Sequence, residues 1–91
     1  GQVYVITNPN FPEWVKVGMA VDAEDRLNSY QTSSPFRDYT LVSAWDVTDR
    51  RSAESEAHQE LQKQYDRRSE WFRCTAEQAK EVCEKTAESY Q

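Results

Sequence analysis

Histidine and cysteine are scarce in this sequence. Among 91 residues there is one histidine, His58, and two cysteines, Cys74 and Cys83, with no CxxC pair between them. A structural zinc site takes four ligands, most of them thiolate or imidazole, so this inventory excludes one. Two free, partly buried thiols in a reducing compartment are the expected state of the cysteines. No run of about 18 apolar residues occurs, so no membrane-spanning helix is predicted. No secretory leader is visible, and the expected location is the cytoplasm. Internal repeats and low-complexity stretches are missing too. The length suits one compact domain, residues 1–91, and not two. The chain opens on Gly1 rather than methionine, as a segment of a longer protein does, so a partner domain outside it is expected.

An excess of base is also lacking. Sixteen acids face 11 bases, for a net charge of −5, which argues against indiscriminate nucleic-acid binding. The bases are unevenly spread, however. Residues 50–73 hold six of them (Arg50, Arg51, Lys63, Arg67, Arg68, Arg73) against five acids. Apolar residues make up 37% of the chain, with three Trp, five Tyr and three Phe, enough for a small aromatic-rich core.

Residues 2–7, QVYVIT, are β-branched and aromatic and predict a strand. NPNFPE is a turn, since its prolines and asparagines do not belong in a central strand. WVKVG, ended by Gly18, is the second strand of an antiparallel hairpin. Asp22 is placed to cap a helix with Glu24 and Asp25 in its first turn, running to about Gln31. TSSPFRD ends it. YTLVSAWDV, residues 39–47, is a third strand, expected to be buried on much of both faces. A second helix spans about 50–65, followed by a polar connection through Ser69 and a short extended EWFRC. Thr75 and Gln78 form a capping-box pattern, and Ala76, Ala79, Cys83, Ala87 and Tyr90 form the apolar stripe of a last helix. The expected fold class is α+β: a small three-stranded, mainly antiparallel sheet flanked by helices, in ββαβα order plus a C-terminal helix.

Several polar residues point where packing residues should. A helix advances about 100° per residue, so with Arg26 at 0° Tyr30 falls near 40°, Ala23 near 60° and Leu27 near 100°. Arg26 and Tyr30 therefore stack one turn apart beside the packing stripe. On the second helix Ala53, Ala57, Leu61 and Tyr65 trace the core arc. Glu54 lies within it and His58 at its edge. A carboxylate aimed inward calls for a cation or a proton. Tyr4 alternates with Val3 and Val5, and Lys16 with Val15 and Val17, so both can project from one face of the hairpin. Each residue also has a plainer reading. Tyr4 suits a core position, Arg26 with Glu54 a structural ion pair, Lys16 a snorkelling sheet edge, and His58 a packing role.

The conjunction resembles the GIY-YIG nuclease superfamily. VYVI at 3–6 is similar to its first motif, VKVG at 15–18 to its second, and DRLNSY at 25–30 to the arginine helix that follows. AESEAHQEL at 53–61 and EWF at 70–72 resemble a phage-associated branch whose second motif is a lysine-containing KIG. The resemblance spans about residues 2–73. It implies a phosphodiesterase that hydrolyses DNA with one divalent cation, Mg2+ or Mn2+, in a host cytoplasm if the gene is a phage's. Tyr4 takes the first-motif tyrosine, a general base or water-orienting group. Lys16 replaces the second-motif tyrosine, and Gly18 is the motif glycine. Arg26 takes the family arginine, Tyr30 a position that is His or Tyr in relatives, and Glu54 the metal-holding glutamate. The literal letters GIY and YIG are absent, and the C-terminal asparagine of some relatives has no counterpart.

These residue types suit the chemistry. Hydrolysis of a phosphodiester loads charge on the non-bridging oxygens, which the fork of Arg26 can grip. A single carboxylate, Glu54, suits a Mg2+ that keeps most of its waters. A tyrosine is a poor base unless a nearby ammonium favours its phenolate, so Lys16 is expected to tune Tyr4, with Tyr30 orienting it and His58 ranked last. Trp71 and Phe72 are expected to fill the core, with Glu70 supporting a turn or the metal's surroundings. Two other readings stand beside the nuclease: a binding module that keeps the fold without cleavage, and a structural ion-pair network. With so small a basic surface, DNA specificity is expected from a fused or separate targeting domain or from a dimer.

Overall fold

A computed structural model describes residues 1–91. In chain order its elements are β1 (Gln2–Thr7), β2 (Val15–Ala20), α1 (Ala23–Ser33), β3 (Thr40–Asp46), α2 (Arg50–Gln62), β4 (Arg67–Arg68), β5 (Trp71–Phe72) and α3 (Ala76–Glu88). The strands form one antiparallel sheet in the order β3-β1-β2-β5-β4. The α+β class is as expected, but the sheet has five strands rather than three. The EWFRC segment supplies β5. The polar pair Arg67–Arg68 supplies β4, two residues long and too short to leave an alternation in the sequence.

The period of two divides the sheet's side chains between two cores. Val3, Val5, Val15, Val17 and Phe72 face α2 and α3, where they bury Ala53, Ala57, Leu61, Ala79, Cys83 and Ala87. Tyr4, Ile6 and Ala20 face α1 and meet Ala23, with Leu27, Tyr30 and Tyr39 packed around them. The stripes expected on the second and last helices are thus the ones that pack. α1 covers one face of the sheet, and α2 with α3 the other.

Caps place the helix starts. The Asp22 carboxylate accepts from the amides of Glu24 and Asp25, Asp49 accepts from Ser52, and Thr75 and Gln78 complete a reciprocal capping box. Each such cap is worth about 1 kcal/mol.

Two expectations about strands are corrected. β3 is an edge strand paired only with β1, and its residues are partly or fully exposed rather than buried on both faces. β2 does not stop at Gly18 but continues to Ala20, and Gly18 has no positive φ. Its glycine serves a different purpose, set by the residue opposite.

Candidate active site

Tyr4 lies in central strand β1, 1% exposed, directly opposite Gly18 in β2. The phenol end of its ring lies against that glycine. A Cβ at Gly18 would come within 2.6 Å of the Tyr4 Cζ, so only glycine leaves room for the phenol. The Tyr4 hydroxyl is 3.0 Å from the hydroxyl of Tyr30 on α1. Burial, and then the hydrogen bond to Tyr30, push the Tyr4 phenol far above its ordinary range, outweighing the opposite pull of Arg26.

Lys16 projects from the same face as Tyr4, as parity required, because its register partner is Ile6. Its Nζ makes an ion pair of 3.0 Å with Glu70 and lies 5.2 Å from the ring centre of Tyr30 and 6.0 Å from that of Trp71. Burial disfavours the ammonium, but the Glu70 carboxylate and the Tyr30 hydroxyl outweigh it and hold Lys16 above its ordinary range. Lys16 is therefore a charged group whose charge is directed at Glu70. The ammonium is paired with Glu70 rather than with Tyr4, whose hydroxyl is bonded to Tyr30.

Glu70 is held from two sides. It sits with Ser69 at the turn between β4 and β5, and its carbonyl accepts the Val17 amide at 3.0 Å. The Val17 carbonyl in turn accepts from Nε2 of His58 at 2.7 Å. β5 pairs with β2 only at Val15 and Lys16, so beyond Val17 the edge of β2 is open.

A cleft of about 270 Å³ opens there, lined by Tyr4, Met19, Ala20, Val21, Arg26, Arg50, Arg51, Glu54 and Glu70. It gathers side chains from both faces of the sheet, Arg26 from α1 and Arg50, Arg51 and Glu54 from α2. The Glu54 carboxylate is partly buried and has neither hydrogen bond nor ion pair, the three ion pairs of the chain being Lys16–Glu70, Lys63–Glu60 and Arg73–Glu13. Burial raises its pKa, Glu70 adds to the rise, and His58, Lys16 and Arg67 oppose it. Arg26 is exposed and its guanidinium is likewise free. The structural Arg26–Glu54 ion pair is not formed. In a chain of net charge −5, the cleft wall carries three arginines against two glutamates, and Lys16 compensates one of the two.

The cleft thus unites Tyr4, Arg26 and Glu54, with Tyr30 and Lys16 one contact behind. His58 stands apart. It is 6% exposed, its ring lies 5.3 Å from that of Phe72, and with Nε2–H donated to Val17 its Nδ1 accepts from Arg67 at 3.4 Å. Both ring nitrogens hold the fold beside the cleft rather than facing it.

Sequence reasoning missed Arg50 and Arg51 as cleft residues. The only signal was the cluster of bases in the middle of the chain, and the Asp49 cap that fixes their place at the start of α2. Trp71 was expected in the core; Phe72 is there, at 0% exposure, while Trp71 turns to the opposite face beside Lys16. A larger hollow of about 770 Å³ lies past the other end of β2, next to the Asn8–Trp14 loop. Its aspartate, Asp38, is already held by Asn8, Asn10 and Ser34, and no comparable set of free charges converges there.

The family model described as the T5orf172 domain matches residues 1–87, which takes in α3 as well as the motif-bearing part of the chain. No curated protein and no solved structure matches the chain.

Proposed function

The chain belongs to the T5orf172 domain family, a phage-associated, GIY-YIG-like nuclease-type family, and from that premise we propose that it is a metal-dependent DNA endonuclease domain using one divalent cation, Mg2+ or Mn2+. The observation that carries this reading is the meeting, in one cleft, of an unpartnered carboxylate, an unpartnered arginine and a buried phenol. Lys16 stands where the second motif of relatives has tyrosine, as in a KIG-type branch.

The donor set suits a hard divalent cation. Glu54 is disfavoured as an anion by burial and by Glu70, and a cation relieves both. One carboxylate with room for water is what Mg2+ accepts, since it gives up its waters reluctantly. Glu54 would hold the ion, with Glu70 beside it. When bound, the ion supplies Lewis-acid stabilisation of the leaving oxygen.

The chain's own groups do the rest. Arg26 grips the non-bridging oxygens of the scissile phosphate, and Arg50 and Arg51 draw the neighbouring backbone into the cleft. The Tyr4 hydroxyl, protonated and aligned by Tyr30, orients the attacking water by hydrogen bonding rather than stripping its proton. Lys16 fixes Glu70, and Glu70 keeps the Lys16 charge from competing for Glu54. Choice of DNA site comes from a fused or separate targeting domain or from a dimer. The acidic balance of the chain, net charge −5, favours a second reading, a binding module without cleavage.

Nicking of supercoiled plasmid in Mg2+ or Mn2+ tests this. Arg26→Ala and Glu54→Gln should each lower the rate by about 100-fold or more. Arg26→Ala should leave stability within about 0.5 kcal/mol, because the side chain is exposed and bonded to nothing. Cleavage that survives both changes overturns the mechanism. DNA binding with no cleavage in either metal identifies the second reading.

A further inference from the structure

Antiparallel pairing puts Lys16, Trp71 and Arg68 on one face of the sheet, the face α1 covers. The core under α1 is built from β1, β2 and β3 residues and stops short of β4 and β5. On this uncovered part Trp71 is partly exposed, and Arg68 is exposed with a guanidinium free of any hydrogen bond or ion pair. Phe11, from the β1–β2 loop, lies edge-on to Trp71 at 5.5 Å between ring centres.

Phe11 is 47% exposed, a poor use of an aromatic ring if packing were its only purpose. Its loop is nevertheless built to hold it there. The Phe11 amide donates to the Asn8 carbonyl at 2.9 Å, and the Trp14 amide to the Phe11 carbonyl at 3.0 Å. Asn8 and Asn10 both anchor to Asp38. The ring is therefore displayed from a fixed loop and leans on Trp71, which follows the cleft residue Glu70 directly.

We propose that Phe11, Trp71 and Arg68 form a stacking track for unpaired nucleotides of the DNA substrate, leading from the loop at the other end of β2 through Trp71 and Glu70 toward the cleft. The track deepens the nuclease reading and rests on it, by naming the substrate class as DNA with an unpaired stretch beside the scissile phosphate, such as a flap, a frayed end or a branch. An exposed Phe11 ring and a partly exposed Trp71 beside a free guanidinium match a strand that presents alternating bases and phosphates. A fully paired duplex keeps its bases stacked inside and offers these rings nothing. Arg68 on this surface and Arg26 in the neighbouring cleft are cations without a partner, available to phosphates.

Binding without metal separates this proposal from the nuclease reading. The Glu54→Gln chain, in EDTA, is titrated into dye-labelled oligothymidine and into a duplex of equal length, with fluorescence anisotropy as the readout. Phe11→Ala should weaken oligothymidine binding about 5- to 100-fold, well beyond any change in duplex affinity, and Phe11→Tyr should restore it. Arg68→Ala, at an exposed position that leaves folding intact, should weaken the same complex and flatten its salt dependence. Phe36→Ala, at an aromatic 79% exposed in the loop after α1, should change neither affinity. Unchanged oligothymidine affinity in both Phe11→Ala and Arg68→Ala overturns the track. So does an equal loss for duplex and single strand, or an effect of Phe11→Ala confined to self-association in light scattering. Absence of plasmid nicking would count against the nuclease reading alone, since these titrations need no turnover.

Discussion

Gly18→Ala is a one-carbon change with an outcome set by Tyr4. The new Cβ would lie 2.6 Å from the Tyr4 Cζ and 3.0 Å from its Cε1, where ordinary contacts begin at 3.4 Å. The ring must retreat by the better part of an ångström. It is 1% exposed and hydrogen-bonded to Tyr30, with Ile6, Ala23 and Leu27 behind it. Overpacking of this kind costs about 1–3 kcal/mol. Loss of part of the Tyr4–Tyr30 bond adds up to about 1 kcal/mol. Against this, alanine restricts the unfolded chain and returns about 0.4–1 kcal/mol. The net expectation is a loss of about 1–3 kcal/mol, or several degrees in Tm for a domain of this size. Urea denaturation of a double-mutant cycle with Tyr4→Leu isolates the cause. With the ring gone, the alanine should become neutral or stabilising. Equal costs in the two backgrounds, or a Gly18→Ala chain as stable as the parent, would refute the argument that the phenol dictates this glycine.

Glu54→Gln should raise stability near neutral pH, by up to about 1 kcal/mol once solvent screening of a partly exposed group is allowed for. The sign follows from its raised pKa: folding favours the protonated form, so the penalty on the carboxylate grows as pH rises through that pKa and vanishes below the ordinary carboxylate range. Thermal melts of the two chains should therefore converge in acid and separate toward neutrality, and a constant difference would contradict the assignment. Ser69 has a φ of 57° at the β4–β5 turn, a region that costs a residue with a side chain about 1 kcal/mol. Ser69→Gly should raise stability by about that amount in chemical denaturation, and a loss would show that the serine side chain matters more than its backbone.

What could be seen from the sequence was whatever repeats along one element. Parity put Tyr4 and Lys16 on one face, the helical angle put Tyr30 one turn from Arg26, and the same arithmetic picked out Glu54. The capping residues Asp22 and Thr75 were legible because they act on amides two or three residues away. Pairings between distant elements left no such trace. Nothing local to Lys16 shows that its charge goes to Glu70, because that contact depends on how β5 returns beside β2. Gly18 was read as a strand break because its neighbour across the sheet, not its neighbours in sequence, requires it. Trp71 and Phe72 look alike as a pair of aromatics, yet strand alternation sends one to the core and the other to the open face.

The cleft draws Arg26 from α1 and Glu54 from α2, and between them the chain passes through the exposed loop around Phe36 before returning as β3. Cut in that loop, the chain becomes two fragments. The first carries Tyr4, Tyr30, Lys16 and Arg26; the second carries Glu54, Glu70, Arg50 and Arg51. Neither piece alone possesses a cleft, and two strands must find their places to rejoin them, β3 along the free edge of β1 and β5 beside β2. The fold therefore lends itself to fragment complementation, with the cleft assembled only when the two pieces rejoin.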